Sequence, residues 1–239
     1  MDANGDVRLS IADATAVLRL SRPGARNAIR ATTLDDFDAR LASLREEEGA
    51  RTVVIAAEPP AFCAGVDLDE AERLSVAPLA ERRAFVERLQ QLTRSLRSLP
   101  QVTIAAVDGV AVGLGAELAI ACDIRFAGDD ARFCFPELSR GLFPTNGVTA
   151  LLPALVGSGR AYELLLGGEW IDADAADAIG LARRAAGSAA GAADAFADAL
   201  AQADGNAMRL AIRTLRAGNG ERVEAALRIE AASAVELTR

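Results

Sequence analysis

The chain has 239 residues, enough for one large domain with a sizeable core. Its 34 acidic against 26 basic side chains give a formal charge of −8 with no basic cluster, which argues against nucleic acid as the principal partner because phosphate neutralisation needs a concentrated basic face. Histidine is absent, which removes Ser-His-Asp and Cys-His nucleophilic schemes and every His-ligated zinc site, so acid–base work falls first to carboxylates.

Other bulk features narrow the class further. Hydrophobic residues make up 51% of the chain but aromatic ones only 4%, so packing must rely on Leu, Val, Ile and close backbone approach. Cys63, Cys122 and Cys134 are odd in number and match no metal-ligand spacing, so we expect reduced thiols, no metal and a cytoplasmic setting. The start MDANGDVRLS lacks the pattern of a signal peptide, and no apolar run approaches the ~20 residues of a membrane helix. A soluble protein with no membrane partner is expected.

In chain order, Val7, Leu9 and Ile11 alternate with polar residues, as do Ala16, Leu18 and Leu20 after a turn at Asp13, which predicts an antiparallel hairpin. Thr32 or Thr33 is expected to cap a helix running to about Glu47, with Leu34, Phe37, Leu41 and Leu44 on one face. Residues 52–57 read as a short buried strand, and a helix is expected to begin near Asp67 to Glu70. Apolar spacing over 79–99 predicts a long helix that stops at Pro100. Strands follow at 103–107, 124–127 and 132–135. From Thr145 onward the chain reads as helices broken at Gly157, Gly167 to Gly168, Gly180, Gly187 and Gly218, with 183–203 helical by its alanine content. Strands interleaved with helices, then helices alone, predict an α/β core with a helical C-terminal part.

The chemistry concentrates in TIAAVDGVAVGLGAELAIACDIRFA at 103–127 and RFCFPEL at 132–138. An apolar run, a glycine-punctuated turn and a helix opening at Gly113 put Glu117 in the first turns of that helix, among Val112, Leu114, Ala116, Leu118, Ala119 and Ile120. A carboxyl in such surroundings is either paired, with Arg125 a possible partner, or held protonatable by desolvation. Glu137, taken alone, reads as an ordinary surface residue after Pro136. Together the two carboxyls flank a turn rich in backbone donors, an arrangement suited to moving a proton while N–H groups hold an oxyanion. Gly113 and Gly115 also invite a dinucleotide reading. Leu118 replaces the third glycine of that motif, so glycines that merely let a helix pack on a strand carry equal weight.

RPGARNAI at 22–29, FCAGVDL at 62–68, IAAVDGVAVGLGAELAIACDIRFA at 104–127 and FPEL at 135–138 resemble the crotonase (enoyl-CoA hydratase/isomerase) superfamily, in the same order and at similar separations. The resemblance covers about residues 7–230. It implies a crotonase (ClpP-like) fold of repeated ββα units forming two nearly perpendicular sheets, with a core over 1–185 and a helical trimerisation region over 186–239. It also implies an acyl-CoA thioester as substrate, with no separate cofactor, and a homotrimer or homohexamer. The catalytic pair falls on Glu117 and Glu137, and the oxyanion hole on the N–H groups of Val66 and Leu114. Binding of the CoA ester falls on Arg22, Arg26, Ala64, Gly65, Asp67, Leu68 and Gly113.

Hydration of a 2-enoyl-CoA is the reaction favoured, because isomerases of the family commonly lack the first glutamate. Isomerisation or another crotonase chemistry on the same site is the alternative, and a catalytically idle CoA-ester-binding or assembly subunit is a second. The chain departs from the family's pattern in several places. Leu114 stands in the usually small turn, Gln101 and Val102 replace Lys-Pro, and Gly24 stands where a basic residue is frequent. GLFPTNGVTALLP at 141–153 replaces the familiar PGAGGTQRL run, and the sequence stops at Arg239 where typical members continue with a basic segment.

Overall fold

A computed structural model of the protein describes residues 5–237. The start of the stretch read for a signal peptide and the last two residues of the 186–239 region lie outside it. The predicted hairpin forms from β1 (Val7–Ala12) and β2 (Thr15–Leu20), paired from Val7 opposite Leu20 to Ala12 opposite Thr15. Asp13 makes the turn with φ +50°. Helix α1 (Ala31–Arg45) follows, then β3 (Thr52–Ala57), α2 (Leu68–Ser75), α3 (Leu79–Arg97) and β4 (Val102–Val107).

The chain then switches sheets. Between β4 and β5 (Val110–Val112) it turns at Asp108 and Gly109, where φ is +72° and a Cβ would lie 2.4 Å from the Pro60 carbonyl oxygen, so only glycine fits. Next come α4 (Leu114–Ala121), β6 (Ile124–Ala127), β7 (Arg132–Cys134), α5 (Val148–Val156), α6 (Ser158–Gly167), β8 (Ile171–Asp172), α7 (Ala173–Ala178), β9 (Arg183–Arg184), α8 (Ala189–Ala201) and α9 (Gly205–Glu236). One sheet runs β1-β2-β3-β4-β6-β9, parallel beyond the first pair, and the other runs β5-β7-β8.

The burial of β3 and β4 explains their unbroken apolar sequences, TVVIAA and VTIAAV. Parallel interior strands are covered on both faces and need no polar alternation. One face, including Val53, Ile55, Ala105 and Val107, joins the main core with Leu18, Phe37, Leu41 and Leu96. On the other, Val54, Ala56, Ile104, Ala106 and Phe126 pack with Ala189 and Ala193 of α8 and Ile212 of α9. The alanine-rich α8 can lie close to the sheet because its contact residues are small.

Several expectations are corrected. Arg30, not a threonine, is the residue before α1; the Thr33 hydroxyl sits inside the first turn and accepts from the Arg30 N–H at 3.3 Å, and the helix ends at Arg45. Gly218 breaks nothing: α9 runs through it for 32 residues, and a Cβ there would meet open space. The C-terminal third is not helices alone, since β8 pairs with β7 and β9 with β6. Residues 183–184 are therefore strand, and helix starts only at Ala189.

Candidate active site

The site grows from the N-terminus of α4. All eight residues of this helix are buried, and its entry residue Gly113 has φ +52°. The 62–66 loop lies directly against it. Cys63 donates its N–H to Val110 O at 3.0 Å and accepts from Val112 N–H at 2.9 Å, which makes the loop a short ladder partner of β5. At Gly115 a Cβ would sit 2.2 Å from the Cys63 carbonyl oxygen, so loop and helix meet backbone to backbone. On the loop's other side Ala64 N–H donates to Arg26 O (3.0 Å), Ile29 N–H to Gly65 O (2.8 Å) and Asp67 N–H to Ile29 O (2.9 Å). That ladder leaves the Val66 N–H directed away from Ile29.

Val66 and Leu114 are thereby brought onto adjoining segments. A Cβ on Gly65 would lie 2.8 Å from Val112 O and 3.7 Å from Leu114 N. The Leu114 N–H opens α4, where no carbonyl inside the helix can accept it and the helix dipole makes it a better donor.

Both glutamates are interior. Glu117 is 1% exposed and is not paired with Arg125, whose guanidinium donates instead to Leu181 O (2.8 Å) and Cys122 O (2.6 Å). The Glu117 carboxyl accepts from Thr145 N–H at 3.2 Å, the Thr145 hydroxyl at 3.3 Å and Asn146 Nδ2 at 2.8 Å. Glu137 is 8% exposed, so the surface reading of this residue is wrong. Its Oε2 is buried without a hydrogen-bond partner, and its Oε1 would lie 2.8 Å from a Cβ on Gly113. The absent side chain of Gly113 is what admits the Glu137 carboxyl to the start of α4.

Burial first, and then the charge of Glu137, raise the proton affinity of Glu117 well above that of an ordinary glutamate, against the pull of the Asn146 amide. Burial likewise pushes Glu137 up to about 7, eased by its own backbone N–H and by Arg140. Two such carboxyls titrate as a pair, and the charge of one resists ionisation of the other.

The other sequence candidates are placed as follows. Arg22 is a tie within the fold, with Nη1 donating to Ala28 O (2.6 Å) and Asp67 Oδ2 (3.0 Å) and Nε 3.6 Å from Asp6. Asp67 caps α2 by accepting from Asp69 N–H at 3.1 Å. Arg26 is exposed with φ +50°, Ala64 is half-buried, and Leu68 is 78% exposed. Gly113 and Gly115 face a carboxyl and a carbonyl, surroundings hostile to a pyrophosphate and thus to the dinucleotide reading.

Sequence reasoning missed Thr145, Asn146 and Glu230. Glu230 is 0% exposed in α9 and accepts from Gly147 N–H (2.6 Å), Thr149 N–H (2.8 Å) and the Thr149 hydroxyl (2.7 Å), holding the start of α5. The signal was available, since Val223, Ala226, Leu227 and Glu230 fall at helical spacing on one buried face.

Among the described residues no group of three His, Cys, Asp or Glu side chains converges as a metal would require, and no helix is long and apolar enough to cross a membrane. All three cysteines are buried and unpaired. Clefts of about 560 and 310 Å³ lie beside Arg97 and Arg216, and neither is lined by the glutamates.

The family model for enoyl-CoA hydratase/isomerase matches residues 10–238. The chain belongs to this family. It is 39% identical over 171 residues to enoyl-CoA hydratase domain-containing protein 2, mitochondrial, of Bos taurus, covering 71% of this chain and 57% of that protein. It is 37% identical over 188 residues to an enoyl-CoA isomerase/hydratase of Mycosarcoma maydis, covering 74% and 68%. The first of these matches thus spans little more than half of the relative's length. The crystal structure of an enoyl-CoA hydratase/isomerase from Mycobacterium paratuberculosis superposes with a TM-score of 0.92 at 25% identity, over 100% of this chain and 95% of that one. The α/β architecture with its long C-terminal helix is the crotonase fold, as the family resemblance implied.

Proposed function

We propose that the protein adds water to the double bond of a 2-enoyl-CoA thioester, giving a 3-hydroxyacyl-CoA. One observation carries this reading: two buried carboxyls in unlike hydrogen-bond settings meet at a helix start that also presents the Leu114 N–H, with Val66 on the adjoining loop. Burial raises the proton affinity of Glu117, but donors on both of its oxygens oppose that rise, and a carboxylate's remaining lone pair is free for a water. Glu137, with an oxygen lacking a partner, is the better seat for a proton.

In the proposed step the thioester carbonyl sits between the N–H groups of Val66 and Leu114. Water gives a proton to Glu117 while its oxygen bonds to the β-carbon. The π electrons move onto the thioester oxygen as an enolate, and Glu137 then delivers its proton to the α-carbon. The proton taken by Glu117 then returns to Glu137, so the sum is one water added, with no metal or redox partner needed. Each oxyanion donor of this kind contributes about 3 kcal/mol of transition-state stabilisation. Arg22, Arg26, Ala64, Gly65, Asp67, Leu68 and Gly113 form the proposed CoA-side wall, and a homotrimer or homohexamer in the cytoplasm completes the proposal.

A second reading, double-bond isomerisation, is favoured by the two activities named for the Mycosarcoma maydis relative. Glu117→Gln separates the two. Hydration, followed by loss of enoyl-thioester absorbance, is expected to fall about 10²- to 10⁴-fold, while an isomerase working through Glu137 keeps most of its turnover. Wild-type hydration rates in the variant would overturn the proposal. Measurable CoA-ester binding without turnover over a panel of chain lengths would point to a binding subunit.

A further inference from the structure

The turn that replaces the family's familiar glycine-rich run carries an amide aimed at Glu117. Asn146 is 1% exposed, and its Nδ2 lies 2.8 Å from Glu117 Oε2. Its orientation is fixed from behind, because Thr93 Oγ1 on α3 lies 3.0 Å from Asn146 Oδ1, which leaves the amide nitrogen for the acceptor-only carboxylate. Gln90, one turn earlier on α3, donates to Thr145 O at 3.1 Å and to Leu227 O at 2.5 Å, and Glu230 takes the N–H groups of Gly147 and Thr149. The 145–149 turn is therefore held from α3 and α9 at once.

We propose that Asn146, locked by Thr93, is a positioning residue that holds the Glu117 carboxyl in plane as the base of the hydration. This deepens the hydratase reading and rests on it. Asn146 acts through Glu117 and not on the substrate. Removing its amide leaves a buried carboxylate short of one donor, which makes the ionised form harder to reach.

The charged and titratable groups around Glu117 are Glu137 after β7, with Cys134 and Arg140 beside it, and Glu230 on α9. From α3 the neutral Gln90 and Thr93 hold the turn that donates to it, and Arg125 is turned away. Arg140 acts on Glu137, and no positive charge acts on Glu117 to stand in for the lost donor.

The test is the pH dependence of kcat/KM in Asn146→Leu and Thr93→Val. The expected result is an acid limb moved to higher pH by about one unit in Asn146→Leu and by less in Thr93→Val, with kcat down about tenfold and KM changed less than about threefold. Thr93→Val is nearly isosteric and carries the test if Asn146→Leu does not fold. A purely structural role would lower the melting temperature or raise KM and leave the limb in place, and that result overturns the proposal.

Carbon-13 NMR titration of the glutamate carboxyls, with Glu117 assigned from Glu117→Gln, reads the same shift without turnover. A wild-type protein that hydrates no enoyl-CoA would sink the hydratase reading. An unmoved Glu117 titration in Asn146→Leu or Thr93→Val would sink the role of Asn146 separately.

Discussion

Where Gly113 meets Glu137, a missing side chain is what makes room for a carboxyl. Gly113 is needed twice over, for its φ of +52° and for the space its missing Cβ leaves to the Glu137 carboxyl, 2.8 Å away. Gly113→Ala is expected to displace Glu137, cost about 1–3 kcal/mol of stability, and cut turnover far more than substrate binding; denaturant unfolding and steady-state kinetics check both. The unusual character of Glu117 was legible in the sequence, because seven apolar or small residues surround it in one helix. That of Glu137 was not, since Pro136, Leu138 and Ser139 give no sign that a glycine from another strand-helix junction arrives beside it. Arg125 misled because its position eight residues on, past the helix end, suggests proximity, while its guanidinium is spent on carbonyls.

At the scale of elements, the legible parts were those with a local period. The hairpin, β3, β4, β6 and α3 follow from alternation, unbroken apolar runs or helical spacing. Strands β8 and β9, two residues each, have no period to read and exist only because a sheet edge is there to accept them. Glycines show the same divide. Gly218 looked like a breaker but lies inside α9 with open space around it, so Gly218→Ala should stabilise by about 0.5–1 kcal/mol through helix propensity alone. Gly115 looked like part of a nucleotide motif but is wedged against a backbone carbonyl at 2.2 Å, which cannot move aside. Gly115→Ala is expected to lose several times more than Gly218→Ala gains, or to prevent folding, with chemical denaturation of both variants as the measurement.

For the whole molecule, buried carboxyls tie stability to pH. Glu117, Glu137 and Glu230 are all shifted upward by burial. An acid whose folded value lies above its unfolded value of about 4.5 binds its proton more tightly when folded, so its favourable contribution is present below that value and is lost as pH rises through the folded one. For Glu137 the window runs from about 4.5 to about 7. Glu137→Gln, neutral at every pH, should therefore be more stable than the wild type at pH 8 by up to about 3 kcal/mol, with the gain shrinking to nothing toward pH 4. Melting curves across that range measure it, and a constant difference would contradict the sign. Glu137 would then keep its proton at the expense of the protein's stability, a compromise common at working sites.

The anchoring of the 147–149 turn by Glu230 has a consequence in time as well as in space. The two partners are more than 80 positions apart, and the Gln90 bond to Leu227 spans 137. The 147–149 turn therefore reaches its final arrangement only once the chain has been made through residue 230. The setting of the Glu117 carboxyl is thus completed from the late-made helix α9, not from the segment that carries it.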